Sequence, residues 1–160
     1  MENYISVAIP TYNSSKYLND CLKRFVGLNI VNEIIIQDDN SSEKEISNIK
    51  DILKNINSKK VSLHINSENK GAFFNKIEAI SNCNNKWVYQ IDSDNIPSIN
   101  INNDISYVLK TNDPNNLYYP STLYQFYNYP NFSKFLSLFR KKYIVRLFDE
   151  DTLLDINKIK

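Results

Sequence analysis

The chain has 160 residues, of which 42% are hydrophobic and 23% charged, and its formal net charge is +1. These values are ordinary for one globular domain with its own core, and the near-zero charge excludes a global field that would steer the chain toward nucleic acid. Two cysteines and no signal-peptide pattern predict a reducing, cytoplasmic location, and no apolar stretch approaches the roughly 20 residues of a membrane-spanning helix.

Strands and helices are predicted in alternation up to residue 91. Apolar runs predict strands at residues 4–9, 33–37, 61–65 and 86–91, and apolar residues at helical spacing predict three helices between them. Ser42 and Glu45 predict a capping box for the second helix. The predicted apolar helix faces are Tyr17, Leu18, Cys21, Leu22 and Phe25; Ile46, Ile49, Leu53 and Ile56; and Phe73, Phe74, Ile77 and Ile80. The alternation predicts an α/β fold with a mainly parallel sheet flanked by helices.

The rest of the chain has a weaker pattern. A helix is predicted at residues 104–110 and a strand at 117–119. Residues 114–148 contain five basic residues, no acidic residue and 11 of the 20 aromatic residues, so this segment carries +5 and the remainder −4. Our preferred interpretation of this segment is that its apolar and aromatic residues cover the sheet while its basic residues face solvent. One alternative is peripheral contact of residues 132–146 with an anionic membrane surface. The other is stacking on single-stranded nucleic acid, although we predict that the chain has no nucleic-acid partner.

An acidic triplet, Asp92-Ser93-Asp94, follows the predicted fourth strand. Carboxylates two residues apart leave a strand on the same side, and ligands bind at the carboxyl edge of open α/β sheets. Two close carboxylates repel each other unless a cation lies between them, and hard cations such as Mg²⁺ or Mn²⁺ take oxygen ligands. The triplet therefore suggests a metal that carries a phosphorylated ligand, with a solvated turn as the alternative.

Polar loops follow the other three predicted strands as well. They comprise residues 10–13, 38–42 and 66–71, and in a parallel sheet they gather at one edge together with residues 92–95. Hydroxyl, amide, aromatic and carboxylate groups combined in this way suit a sugar or a nucleotide.

Taken in order, residues 6–13, 33–42, 69–71 and 92–94 resemble family 2 of the inverting glycosyltransferases. The resemblance covers about residues 4–97 and implies the GT-A fold, a nucleotide-diphosphate-sugar donor, Mn²⁺ or Mg²⁺, and a carbohydrate or lipid-linked acceptor. By the resemblance, Asp39 accepts a hydrogen bond from the base, most simply uracil, and Asp94 ligates the metal. The remaining implied donor-site residues are Pro10, Thr11 and Tyr12 at the nucleoside, Asn69 to Gly71 at the base and diphosphate, and Asp92 at the ribose or metal.

The resemblance also implies a catalytic base downstream of the metal motif. Asp151 is the candidate, because it lies in an acidic run before a helix-like segment. Two alternatives stand beside it: residues 149–151 are acids at a helix N-terminus, or the true base lies beyond this chain. We predict a nucleotide-sugar-binding half at residues 1–97 and an acceptor-side half at residues 98–160. The predicted function is metal-dependent, inverting sugar transfer, with a non-catalytic or truncated nucleotide-sugar-binding module as the alternative.

Overall fold

A computed structural model describes residues 4–97 and 99–111 of this chain. Strands and helices alternate throughout, as predicted. The strands are β1 (Ile5–Thr11), β2 (Val31–Asp38), β3 (Val61–Ile65) and β4 (Trp87–Gln90), and the helices are α1 (Ser15–Val26), α2 (Glu43–Ile56), α3 (Ala72–Ser81) and α4 (Ile101–Thr111). The predicted strand at residues 117–119 and the segment 132–146 lie outside the described residues.

The four strands form one parallel sheet in the order β3-β2-β1-β4. Because β2 and β4 lie on opposite sides of β1, the strand order reverses between β1 and β4, which is where open α/β sheets bind ligands. The sequence suggested that Pro10 ends β1, but the strand continues to Thr11 because it still pairs with β2, Pro10 with Gln37 and Thr11 with Asp38. The residue pairs of β1 with β4 stop at Ala8 and Gln90, and the N–H that Pro10 lacks lies beyond this last pair.

One face of the sheet carries the main core. Every residue of β1 is buried, and alternate residues of β1 and β2 pack with the apolar faces of α1 and α4 and with Ile49 of α2. Leu18, Cys21, Leu22 and Phe25 are completely buried, which confirms the predicted face of α1 apart from the exposed Tyr17. Within the described residues, no helix is long and apolar enough to cross a membrane.

Helix starts in this structure are fixed by contacts between different elements. The hydroxyl of Ser42 accepts from the backbone N–H of Glu45, which is one half of the predicted capping box. The carboxylate of Glu45 does not return to Ser42. It accepts instead from the N–H of Ser15 at 2.9 Å, and so it caps α1. Glu45 thereby joins the starts of two neighbouring helices.

The helix α3 covers the other face of the sheet, and the side of α3 that packs against the sheet is not the side predicted from the sequence. The sequence predicts Phe73, Phe74, Ile77 and Ile80 as its packed face. In the structure Phe73 is 64% exposed and Phe74 60%, whereas Asn75 and Ala79 are buried. Because the sheet offers polar groups to α3, the amide of Asn75 packs there in place of an aromatic ring.

Candidate functional site

The carboxyl ends of the strands lie side by side. The register pairs Thr11 with Asp38 and Asp38 with Ile65, so β1, β2 and β3 end level with one another. The backbone N–H of Ile91 donates to the carbonyl of Ala8 at 3.0 Å, which continues the β1–β4 pairing one residue beyond the strand. The acidic triplet therefore begins level with the last residues of β1. All four polar loops predicted from the sequence share this edge.

Asp39 directly follows β2, is 2% exposed, and contacts the loop that leads into α3. Its Oδ1 accepts from the N–H of Lys70 at 2.8 Å and from Asn66 Nδ2 at 2.9 Å. Its Oδ2 accepts from the N–H of Gly71 at 2.9 Å. A carboxylate has about four acceptor positions, so these three bonds leave one position, on Oδ2. Asp39 thus holds the 69–71 loop, and one acceptor position on Oδ2 has no partner among the described residues.

Gly71 is the turning point of that loop. Its φ of 85° lies in the region that favours glycine, and it directly precedes α3. The side chain of Asn69 accepts from the N–H of Gly71 at 3.0 Å. The loop conformation thus brings two backbone N–H groups, those of Lys70 and Gly71, onto one carboxylate. The predicted site residues Asn69, Gly71 and Asp39 therefore form one local structure.

A network of buried amides beneath this loop was not predicted from the sequence. Asn66 accepts from Gln37 Nε2 at 2.6 Å, and its own amide donates to Asn75 Oδ1 at 3.1 Å. Asn75 donates in turn to the carbonyl of Gln37 at 3.0 Å. Two features of the sequence could have indicated the network: the polar Gln37 at the end of an apolar strand, and Asn75 within an apolar helix pattern. The network fixes α3 against the sheet edge that carries the site.

Replacing Asn75 by alanine is expected to lower the free energy of unfolding by about 2–3 kcal/mol, because buried partners on Asn66 and Gln37 lose their hydrogen bonds. Urea unfolding followed by circular dichroism measures the change. The control is Asn82→Ala at the end of α3, where the exposed amide donates to Gln37 Oε1 at 2.8 Å. We expect less than about 1 kcal/mol there. Equal effects in the two variants would contradict a buried structural network at Asn75.

A chain of hydroxyl groups connects the loop after β1 to the acidic triplet. Thr11 Oγ1 lies 2.8 Å from Ser14 Oγ, and Ser14 Oγ lies 2.8 Å from Ser93 Oγ. Thr11 and Ser93 are both buried. Ser14 directly precedes α1, yet its side chain makes no capping bond to that helix. The inward position of Ser93 leaves the two carboxylates beside it nearer to solvent.

The two carboxylates of the triplet have different environments. Asp92 accepts from Lys76 Nζ at 2.9 Å and from Gln90 Nε2 at 3.0 Å. Asp94 is exposed and has no hydrogen-bond or ion-pair partner among residues 4–97 and 99–111. Lys76 belongs to α3, the helix that Gly71 directly precedes. Gly71, immediately before α3, thus contacts Asp39, and Lys76 within α3 contacts Asp92.

The acidic triplet offers few protein ligands to a hard divalent cation. The part of the chain that the structure describes contains no group of three or more His, Cys, Asp or Glu side chains placed to hold a metal ion. Two carboxylates at most are available, one of them exposed. Mg²⁺ is commonly bound by one or two carboxylates together with substrate phosphates and water, so the residues fit such an ion when a phosphorylated ligand supplies the other oxygens.

The two cysteines are buried or half-buried thiols with raised pKa values. Burial, with a smaller contribution from the charge of Asp94, raises the pKa of Cys21 to about 12. Burial, with a smaller contribution from Glu33, raises the pKa of Cys83 to about 11. Both thiols are therefore protonated at neutral pH and pack as small apolar groups, as the sequence suggested.

The remaining predicted residues have clear positions, with one exception. Pro10 and Thr11 are buried at the end of β1, and Tyr12 follows them with 51% of its surface exposed. Tyr12 is therefore free to contact a ligand at this edge. Asp151, the predicted base, lies outside the described residues.

Comparison with known proteins identifies relatives of this chain and of its fold. The profile of Glycosyl transferase family 2 matches residues 6–101. A Methanococcus voltae protein, dolichyl N-acetyl-alpha-D-glucosaminyl phosphate 3-beta-D-2,3-diacetamido-2,3-dideoxy-beta-D-glucuronosyltransferase, is 34% identical over 86 residues, which are 51% of this chain and 26% of that protein.

Solved structures of glycosyltransferases with the GT-A fold superpose on the chain. The mannosyltransferase PcManGT from Pyrobaculum calidifontis, in complex with GDP-Man and Mn²⁺, matches with a TM-score of 0.58 and 18% identity over 69% of this chain and 33% of its own. S. aureus TarS 1-349 in complex with UDP-GlcNAc matches with a TM-score of 0.55 and 21% identity over 68% of this chain and 31% of its own. The predicted GT-A fold is thereby confirmed. The chain spans about a quarter of the curated relative and a third of these structures.

Proposed function

Because this chain belongs to glycosyl transferase family 2, we propose that it transfers a sugar from a nucleotide-diphosphate sugar to a hydroxyl acceptor, with inversion at the transferred carbon. One observation carries the proposal beyond family membership. Asp39, Asp92 and Asp94 all follow strands at the same edge of the sheet, and α3 together with Gly71, which precedes it, contacts the first two. We propose that Asp39 recognises the base on one side of β1 and that Asp92 and Asp94 form an acidic metal site on the other side.

The proposed donor is a UDP-sugar. Asp39 keeps one acceptor position, on Oδ2, and uracil presents one N–H on the edge where it pairs. Guanine presents two adjacent donors, which a carboxylate binds best with both oxygens, and Oδ1 of Asp39 already accepts two bonds. The exposed ring of Tyr12 is proposed to cover the base or ribose from the β1 side.

The proposed cation is Mn²⁺ or Mg²⁺, held by Asp94 with Asp92 and by oxygens of the donor. Such an ion supplies positive charge that stabilises the leaving diphosphate. The chain itself positions the carboxylates: Ser93 turns inward and bonds Ser14, so Asp92 and Asp94 are presented together at the edge. The hydroxyls of Thr11 and Ser14 fix that loop against β1.

The proposed acceptor is a carbohydrate or a lipid-linked carbohydrate. The name of the Methanococcus voltae relative describes transfer to a dolichyl-phosphate-linked sugar. The basic and aromatic residues of segment 132–146 are consistent with peripheral contact at the inner face of a membrane. Sedimentation with anionic and neutral vesicles tests this contact, and equal sedimentation with both would contradict it.

The donor proposal is tested by thermal unfolding with UDP-, GDP- and dTDP-sugars, each with and without Mn²⁺. A ligand that binds only the folded protein stabilises it by about 2.7 kcal/mol at a concentration of 100 Kd. We expect the largest rise in Tm with UDP-sugars and Mn²⁺ together. A rise of equal size without the ion would contradict the metal role, and no rise with any donor would contradict the proposed function.

Asp151→Asn tests the proposed catalytic base. We expect transfer to fall by about 10²- to 10⁴-fold, which is the usual contribution of a general base, while the affinity for UDP stays the same. Transfer is measured with radiolabelled UDP-sugar, and nucleotide binding by calorimetry. Full transfer in the variant would remove Asp151 from the mechanism. Donor binding without any turnover in the wild type would favour the nucleotide-sugar-binding module.

A further inference from the structure

Lys76 forms the one ion pair that reaches the acidic triplet within residues 4–97 and 99–111. Its Nζ lies 2.9 Å from the carboxylate of Asp92, and each side chain is 39% exposed. Gln90 Nε2 donates to the same carboxylate at 3.0 Å. A positive group therefore already occupies Asp92, on the side of the triplet that faces α3.

The position of Lys76 is fixed by its helix. The N–H of Gly71, immediately before α3, donates to Asp39, and Asn75, the neighbour of Lys76, is held in the buried amide network. The backbone of Lys76 is therefore held in place between Asp39 and the acidic triplet. Its long flexible side chain can still move its ammonium by several ångström without disturbing the helix.

A divalent ion and an ammonium group compete for the same carboxylate. If Asp92 joins Asp94 around a cation, the ammonium of Lys76 must leave, because two cations at bonding distance from one carboxylate repel each other. The displaced ammonium needs another anion nearby. The diphosphate of the donor is the anion that arrives together with the metal, and Lys is an established partner of phosphates.

We propose that Lys76 is a built-in counter-cation of Asp92, which the divalent ion displaces when the donor binds and which then pairs with the donor diphosphate. This inference rests on the proposed function, because it needs a metal-bound nucleoside diphosphate at the triplet. It assigns Lys76 a positioning role in coupling metal and nucleotide. Without nucleotide, Lys76 weakens metal binding; with nucleotide, it strengthens the complex, so the two ligands bind cooperatively.

The direct test is a titration of the nucleotide-free protein with Mn²⁺, in which free Mn²⁺ is measured by electron paramagnetic resonance. In Lys76→Met the competing charge is gone, and we expect Mn²⁺ to bind about three- to tenfold more tightly than in the wild type. Lys50→Met, which removes an exposed lysine from α2, is the control for net charge. We expect less than twofold change there. Equal gains in both variants, or no gain in Lys76→Met, would overturn the proposal.

Two further variants test the competition at Asp92. Adding Asp92→Asn to Lys76→Met is expected to remove the gain in Mn²⁺ affinity, because the freed ligand is then absent. Lys76→Gln, a second uncharged variant, is expected to repeat the gain of Lys76→Met. A gain that survives Asp92→Asn would place the effect elsewhere and overturn the proposal.

Calorimetry with UDP separates this inference from the proposed function. With saturating Mn²⁺, we expect UDP to bind about three- to tenfold more weakly to Lys76→Met than to the wild type. If the wild type binds UDP with Mn²⁺ but Lys76→Met binds it equally well, the inference fails and the proposed function stands. If the wild type binds no nucleoside diphosphate, the proposed function fails, and the diphosphate step of the inference fails with it.

Discussion

Asp94→Asn is expected to abolish the effect of Mn²⁺ on nucleotide binding and to lower the affinity for UDP with Mn²⁺ by about 100-fold or more. Changes to groups that merely support a metal ligand already cost about 10- to 100-fold in metal affinity, so loss of a ligand itself costs at least as much. Asparagine has nearly the same shape, and Asp94 is exposed without a hydrogen-bond or ion-pair partner in the described residues. The free energy of unfolding should therefore change by less than about 0.5 kcal/mol.

Calorimetric titration with UDP, in the presence and absence of Mn²⁺, measures this effect. Asp51→Asn is the matched control, since Asp51 is an exposed acid of α2 and its replacement changes the net charge equally. We expect wild-type binding in the control. Metal-dependent binding that survives unchanged in Asp94→Asn would show that Asp94 is not a metal ligand.

The architecture of the described part was accessible from the sequence for a simple reason. Residues 34–36 form a continuous apolar run, as expected of a strand with both faces covered, and they are buried in β2. The spacing of Leu18, Cys21 and Phe25 is that of a helix face, and all three are in the core. Local periodicity therefore identified the elements, and their alternation implied the parallel sheet.

The orientation of α3 was beyond the sequence pattern. Phe73, Phe74 and Ile77 form an apolar stripe on α3. Such a stripe predicts an amphipathic helix, but it does not determine which side of the helix packs against the sheet. The sheet meets α3 with Gln37 and Asn66, and these groups need partners when buried. Asn75 satisfies them, so the polar residue points inward. A buried amide network depends on residues far apart in the chain, which local periodicity does not register.

The contacts within the site were equally hidden. The sequence places Asp39 and Asp92 at strand ends, but it does not indicate that Asp39 binds the N–H groups of Lys70 and Gly71. The pairing of Asp92 with Lys76 joins residues 16 positions apart on different elements. Such pairs follow from the packing of α3, which the sequence pattern placed with the wrong side toward the sheet.

The structure changes the expected effect of a substitution most at Asp39. From the sequence alone, replacing Asp39 is expected to weaken nucleotide binding and leave the domain intact. The structure changes the second part of that expectation, because the carboxylate is 2% exposed and accepts three hydrogen bonds. In Asp39→Asn the new amide N–H₂ faces backbone N–H donors. We therefore expect the free energy of unfolding to fall by about 2–4 kcal/mol, since buried donors lose their charged acceptor.

We further expect the affinity of Asp39→Asn for UDP to fall by about 30-fold or more at a temperature where the variant is folded, because the acceptor for the base and the 69–71 loop change together. Asp38→Asn is the matched control. Asp38 is adjacent, fully buried, and accepts from the N–H and hydroxyl of Ser41 at 2.8 and 2.6 Å. Its replacement should destabilise the fold but leave UDP affinity within about threefold. If both variants lose stability and neither loses affinity, Asp39 only supports the loop and the base is recognised elsewhere.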